Sequence, residues 1–347
     1  MMKRAAHIIY DPSRMDSAGV SRRSFLTGSR EPQPAEADFL VRVHRQIMAC
    51  QFEIVLPGEC SDLVPAARAA LDEADRLEEL MTIFRESSEL SRINRSAHER
   101  PVPADAEVFS LLEECAAIHE ATGGAFDITS TPLSRCWGFL RREGRLPSEE
   151  ELDTARQSVG MHLVELDDVT RSVYFRRTGV SLNLGSIGKG FALDRLGAFL
   201  RRQHVRQALI SAGSSSILAV GGALHPWEVD LRSMTTRTRL ARLHLTNGAV
   251  GTSGAGEQFF EVDGVRYGHV IDPRTGWPAS GILSASVITR RAASADALST
   301  AFLIGGLEMA ETYCSRHANV MVIITPDDDS RRPVVVGSFS GVSVDLS

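Results

Sequence analysis

Apolar residues recur at intervals of three and four through Leu63, Ala67, Ala70, Leu71, Ala74, Leu77 and Met81. This spacing predicts a helix opened by Ser61 with one buried stripe. The same period returns at Val108, Leu111, Leu112, Cys115 and Ile118. A second helix therefore begins near Asp105 and stops at Gly123-Gly124, where a left-handed cap costs a glycine little. Ahead of both, Phe39–Val43 and Gln51–Leu56 read as extended segments. Past Leu163 the texture changes to short β-rich runs: Val164–Leu166, Val173–Arg176, Val180–Leu184, Ala208–Ile210, Ile217–Val220, Trp227–Leu231, Leu240–Leu245, Phe259–Val262 and Val265–Val270. Asp263-Gly264, between the last two, is a two-residue hairpin signal. Helices at Gly190–Arg202 and Ser294–His317 interrupt the strands, and Ser284–Ile288, Val320–Ile324 and Val334–Val336 close the chain. The expected class is α+β, with mixed β-sheets and packed helices, and without a repeat of fixed period.

Composition narrows the class of protein. The 347 residues are 43% apolar and 24% charged, the balance of a soluble enzyme-sized chain, and no apolar run approaches the ~20 residues needed to span a bilayer. A formal net charge of −6 argues against a broad nucleic-acid footprint, so an anionic ligand needs local donors. The five cysteines, Cys50, Cys60, Cys115, Cys136 and Cys314, form no CxxC pair and suggest neither a disulfide framework nor a zinc finger. Residues 1–37 are rich in Arg, Ser, Pro and Glu without a period and read as a disordered leader, leaving 38–347 as one folded domain. Within the leader, Ser21-Arg22-Arg23-Ser24-Phe25-Leu26 matches a twin-arginine motif, yet no apolar h-region follows it. That absence favours a cytoplasmic location over an exported, periplasmic one.

Four stretches can carry chemistry. In Asn183-Leu-Gly185-Ser186-Ile-Gly188-Lys189-Gly190 a β-run ends in glycines and a lysine as a helix begins, a junction where backbone N–H groups can hold a phosphate or form a plain turn. Its spacing is not that of a Walker loop. Asp296 and Thr300, four apart at the start of an apolar helix, share a face and offer hard oxygen ligands for Mg²⁺; Asp296 also suits a helix N-terminus for its charge alone. His269 ends a strand ahead of the turn Asp272-Pro-Arg-Thr-Gly276, as an oriented polar group facing a cleft or as a satisfied surface histidine. Phe126, in Thr122-Gly-Gly-Ala-Phe-Asp127, can stack on a heterocycle or pack in the core.

Together, in identity and order, these stretches resemble the ApbE family of FAD:protein FMN transferases. The likeness runs from about Phe39 to the end of the chain through Met48–Ile54, Phe84–Asn94, Thr122–Asp127, Asn183–Asp194, Thr252-Ser253-Gly254, His269–Gly276 and Ala295–Thr300. It implies that Met48, Phe84, Ala125, Phe126, Asp127, Asn183, Lys189 and Val270 line an FAD pocket, and that Ser186, Asp296 and Thr300 hold Mg²⁺. Phe84 stands for a more usual Tyr, keeping the stacking face, and Asn183 for a commoner Asp. Ser211-Ala212-Gly213-Ser214-Ser215-Ser216 replaces an Asn-Ala-Gly-Gly-Asp turn, losing a glycine that permits close backbone approach, together with the acid.

The chemistry so implied is attack by a Thr or Ser hydroxyl of an acceptor protein on the FMN-side phosphorus of FAD, with AMP leaving. His269 takes the hydroxyl proton and Asp272 orients the ring. Water as the nucleophile gives the alternative of an FAD pyrophosphatase, and the altered turn admits a non-catalytic FAD-binding protein.

Overall fold

The computed structural model describes residues 7–9, 39–233, 236–256 and 258–346. The chain runs from β1 (His7–Ile9), β2 (Leu40–Ile47) and β3 (Cys50–Pro57) into α1 (Val64–Met81) and α2 (Glu89–Ser96). Next come β4 (Val102–Pro103), α3 (Ala106–Ala121), α4 (Thr131–Cys136), α5 (Glu149–Arg156), β5 (Val164–Asp167), β6 (Ser172–Phe175) and α6 (Gly188–Arg202). Then follow β7 (Ala208–Ala212), β8 (Ser216–Val220), β9 (Trp227–Arg232), β10 (Arg239–Leu245), β11 (Ala249–Gly254), β12 (Phe259–Val262) and β13 (Val265–Gly268). The last elements are β14 (Ile282–Thr289), α7 (Ala292–Arg316), β15 (Val320–Pro326), β16 (Val334–Ser338) and β17 (Val342–Leu346).

A nine-stranded sheet in the order β1-β2-β3-β7-β8-β11-β14-β15-β16 forms the centre. The α+β class holds. Every ladder among the described strands is antiparallel, so the mixture is one of helices with sheets and not of strand directions. Because side chains alternate along a strand, β3 sends Phe52, Ile54 and Leu56 to one face and Val55 to the other, and β14 divides Val287 from Ile288 in the same way. The first face packs on α1, α3, α6 and α7. The second is covered by the three-stranded sheet β17-β10-β9 through Trp227, Val229, Leu231, Leu243 and Leu245. Each such large apolar side chain contributes about 1.5–3 kcal/mol when fully buried.

Two helices place the site. α7 begins where Asp194 of α6 accepts from the backbone N–H groups of Ala292 (2.8 Å) and Ala293 (3.1 Å), a cap supplied by a neighbouring helix. The crossing is close because position 190 lacks a side chain; a Cβ there would collide with the Ala292 carbonyl oxygen. Gly251 of β11 meets the backbone of Ala295 in the same fashion. Further on, α7 breaks at Gly306, whose φ of 70° lies in the left-handed region.

The structure departs from the sequence expectations at several points. Val180–Leu184 joins no ladder; a side chain takes the place of a partner strand, with Asn94 donating to the Leu182 carbonyl (2.9 Å) and accepting from its N–H (2.8 Å). β11 is a full strand where the sequence marked only Thr252-Ser253-Gly254, its glycines having hidden the β signal. α2 and α5, of 8 residues each, are too short to show a period. Of the leader, only His7–Ile9 is described, paired antiparallel with β2; the twin-arginine motif lies outside the described residues. Among the described residues no helix is long and apolar enough to cross a membrane.

Gly190→Ala is expected to lower stability by roughly 1–3 kcal/mol, because the obstacle is backbone that cannot rotate away. A chemical-denaturation midpoint equal to that of the wild type would contradict this account of the helix crossing.

Candidate active site

A cavity of about 320 Å³ opens where the first turns of α6 and α7 meet β11 and the segment after β13. At its base lies Asp296, just past the first turn of α7, 6% exposed. Its Oδ2 accepts from Gly190 N–H (2.7 Å) and Ser216 Oγ (3.0 Å). Burial pushes its pKa up to about 7, against the opposing pull of the Lys189 charge and these two hydrogen bonds. A turn further along the helix, Thr300 Oγ1 lies 3.1 Å from Ser253 Oγ, which is also 2.8 Å from Ser299 Oγ. Ser216 thus bonds the carboxylate, while Ser299 Oγ (2.8 Å) and Thr300 Oγ1 (3.4 Å) donate to the Asp296 backbone carbonyl.

The α6 side supplies Ser186 and Lys189, both in the lining. Lys189 Nζ donates to Ser215 Oγ and has no carboxylate within ion-pair distance among the described residues. The serines of the Ser211–Ser216 turn therefore hold the two charged groups of the site, Ser215 on the ammonium and Ser216 on the carboxylate. Asn183 Oδ1 accepts from Gly185 N–H (2.9 Å), shaping the loop ahead of the helix. Ala125 and Asp127 line the opposite wall, with Asp127 Oδ1 accepting from Thr129 N–H (2.7 Å) and Thr129 Oγ1 (2.5 Å) and Oδ2 lying 3.3 Å from His119 Nδ1.

His269 and Val270 complete the lining. His269 Nδ1 lies 3.1 Å from the Gln258 carbonyl oxygen, which also accepts the His269 backbone N–H (3.0 Å). A carbonyl only accepts, so the neutral ring carries its proton on Nδ1 and presents a lone pair at Nε2.

Twelve of the sequence-selected residues fall into three groups around this cavity. Ala125, Asp127, Asn183, Ser186, Lys189, His269, Val270, Asp296 and Thr300 are brought together. Phe126 is 1% exposed and belongs to the core beneath. Met48, in the tight turn between β2 and β3 with φ 51°, and Phe84, 80% exposed, lie outside the lining. Asp272 does not orient the histidine: its carboxylate is taken by Arg274, whose Nε and Nη2 both donate at 2.8 Å, and Gln258 holds the ring instead. No sequence pattern points to Gln258, because its role lies in a backbone carbonyl. Ser253 and Ser299 stand in the stretches Thr252-Ser253-Gly254 and Ala295–Thr300, but only the placement of β11 against α7 shows that they meet.

The donor set suits a hard divalent cation. Both hydrogen bonds to Asp296 fall on Oδ2, and the surrounding donors are hydroxyls. Among the described residues no group of three or more His, Cys, Asp or Glu could hold a metal; Mg²⁺ is an ion commonly held by one or two carboxylates with water and phosphate.

Residues 48–324 match the ApbE family. An FAD:protein FMN transferase of Escherichia coli (strain K12) is 26% identical over 320 residues, covering 88% of this chain and 90% of the relative. One from Treponema pallidum is 31% identical over 284 residues, covering 74% and 78%. Among solved structures, the ApbE protein of Thermotoga maritima aligns with a TM-score of 0.76 at 29% identity, over 88% of this chain and 96% of that one. A flavin transferase ApbE from Vibrio cholerae shares the fold at 22% identity and a TM-score of 0.74, over 89% and 97%.

Asp296 also sets a pH dependence. Its folded pKa of about 7 exceeds the ordinary 3.8, so between those values the folded chain holds a proton that the unfolded chain has released, and stability falls as pH climbs through that window. In metal-free buffer Asp296→Asn is expected to lose this slope. Parallel melting-temperature profiles for the wild type and the variant from mildly acidic to neutral pH would refute the assignment.

Proposed function

The chain belongs to the ApbE family, and on that premise we propose that it is a Mg²⁺-dependent FAD:protein FMN transferase, joining FMN by a phosphoester to a Thr or Ser of an acceptor protein and releasing AMP. The observation supporting this is a single cavity that sets Asp296, Thr300 and Lys189, at two converging helix starts, together with an imidazole whose Nε2 is free to accept a proton.

Ala125, Asp127, Asn183, Lys189 and Val270 bind and orient FAD, with Phe126 fixing the wall from behind; Met48 and Phe84, outside the lining, are assigned no contact. Asp296, Thr300 and Ser186 would hold Mg²⁺, which supplies charge neutralisation at the pyrophosphate. Lys189, free of a carboxylate partner, meets a phosphate oxygen, and the N–H groups at the start of α6 add the positive end of the helix dipole. His269 Nε2 receives the proton of the acceptor hydroxyl as its oxygen bonds to the FMN phosphorus and the bridging P–O bond to AMP breaks. The Gln258 carbonyl keeps that nitrogen aimed and stabilises the imidazolium that results. The serines of the altered turn secure Lys189 and Asp296, which favours a working site over a non-catalytic one.

The test is to incubate the protein with FAD, with and without Mg²⁺, and a Thr-bearing acceptor, following AMP and covalent flavin. Covalent flavin with AMP, lost on Mg²⁺ removal and in Asp296→Ala, is the expected result. His269→Ala should slow transfer by about 10²–10⁴-fold while retaining FAD binding; transfer at the wild-type rate would remove the histidine from the mechanism. AMP with free FMN would mark a hydrolase instead, and FAD binding without AMP a binding protein.

A further inference from the structure

Asp127 stands on the cavity wall opposite the two helix starts, and its carboxylate oxygens are used unequally. Oδ1 accepts from both the N–H (2.7 Å) and the Oγ1 (2.5 Å) of Thr129. Thr129 Oγ1 in turn accepts from the Gly160 N–H (2.6 Å), so this oxygen is spent on the fold. Oδ2 accepts no hydrogen bond from the described residues. Its neighbour is His119, whose Nδ1 lies 3.3 Å away, and no Lys or Arg among the described residues is within ion-pair distance of this side chain, which is 2% exposed.

His119 comes from the last turn of α3 and is fixed by the turn it overlooks. Gly123 and Gly124, with φ of 55° and 81°, reverse the chain so that the Gly124 N–H returns to the His119 carbonyl (2.9 Å). A Cβ at position 124 would stand 3.5 Å from the imidazole Cε1, so the ring lies over this turn. Phe126 is held at both its polar groups: its N–H donates to Thr122 Oγ1 (3.3 Å), and its carbonyl accepts from His119 Nδ1 (3.0 Å). A carbonyl only accepts, so the neutral ring carries its proton on Nδ1. One N–H therefore fixes the peptide that leads into Asp127 and stands beside the carboxylate oxygen that the fold leaves unbonded.

We propose that His119 is a positioning residue for FAD: it sets the Asp127 carboxylate so that Oδ2 accepts a hydrogen bond from the dinucleotide. The proposal rests on the FAD-binding reading above. FAD carries donors that a carboxylate takes, in the flavin imide, the adenine amino group and the ribityl and ribose hydroxyls. His119 is absent from the described lining and bonds none of Lys189, Asp296, Thr300 and His269, so it acts through Asp127 on binding and leaves the transfer step alone. Without the imidazole, the Phe126 carbonyl loses its donor and the carboxylate loses its polar neighbour, and the oxygen meant for FAD is no longer held in one orientation.

The experiment titrates FAD into the wild type, His119→Ala, His119→Asn, His119→Phe, Asp127→Ala and the His119→Ala/Asp127→Ala double variant, following flavin fluorescence, and measures transfer rates at saturating FAD. His119→Ala should weaken FAD binding by about tenfold and keep the saturated rate within about twofold of the wild type. His119→Asn should bind FAD within about threefold of the wild type, because its amide nitrogen lies as many bonds from Cα as Nδ1 and donates to the same acceptors. His119→Phe keeps a ring over Gly124 without the N–H and should lose as much affinity as His119→Ala, which separates hydrogen bonding from packing. On the Asp127→Ala background, His119→Ala should weaken binding no further. Wild-type affinity in His119→Phe, affinity in His119→Asn as weak as in His119→Ala, or the same tenfold loss on the Asp127→Ala background would overturn the assignment. A wild type that binds FAD and transfers nothing would overturn the transferase alone, and one that binds no FAD would overturn both.

Discussion

Everything in the site hangs from one hydrogen bond, that of the Gly190 N–H to Asp296 Oδ2 at 2.7 Å. It exists because two helix starts approach so closely that no side chain fits at position 190, where a Cβ would strike the Ala292 carbonyl. The same approach brings Asp194 onto the first N–H groups of α7 and puts Lys189 near enough to oppose the burial of Asp296. A carboxylate in so dry a place is costly to ionise alone, and the helix N-termini, the ammonium and the serine hydroxyls each offset part of that cost. The geometry that makes the carboxylate available to a ligand is therefore also what makes it tolerable to the fold.

The histidine is held by different means. Its partner is a main-chain carbonyl, which cannot titrate, so the tautomer stays the same whatever the surrounding charge. Gln258 does this with its backbone while its side chain reaches Phe139, and the aromatic cluster of Trp137, Phe260 and Tyr267 stands behind both. One wall of the site is thus organised by ionic groups and the other by a neutral amide and packed rings.

What the sequence revealed and what it withheld follow from how far each signal reaches. The stripes of α1 and α3 and the hairpin at Asp263-Gly264 are local patterns, and they appear where expected. The motifs around Asn183, His269 and Asp296 were legible as identities, and the fold converges nine of the chosen residues on one cavity. Phe84 and Met48 were chosen by the same resemblance, yet nothing local says which way an exposed aromatic or a turn residue will face. Asp272 misled because adjacency in sequence suggested an orienting partner, whereas Arg274, two residues on, offers a bidentate fit that a histidine cannot match. Gln258 was invisible, since backbone carbonyls carry no signature in residue type.

The Asn94 clamp on Leu182 bears on how firmly the site is held. The segment leading into the loop of Asn183 to Lys189 looks like a strand but meets a side-chain amide in place of a ladder, with a further bond from Asn183 N–H to the Ile128 carbonyl (2.8 Å). Its Val180, Leu182 and Leu184 are buried in the core, so releasing it would expose three apolar side chains, at about 1.5–3 kcal/mol each, besides breaking those hydrogen bonds. The loop that carries Ser186 and Lys189 is in that sense moored by its apolar root, on packing that does not depend on the ladders of the central sheet.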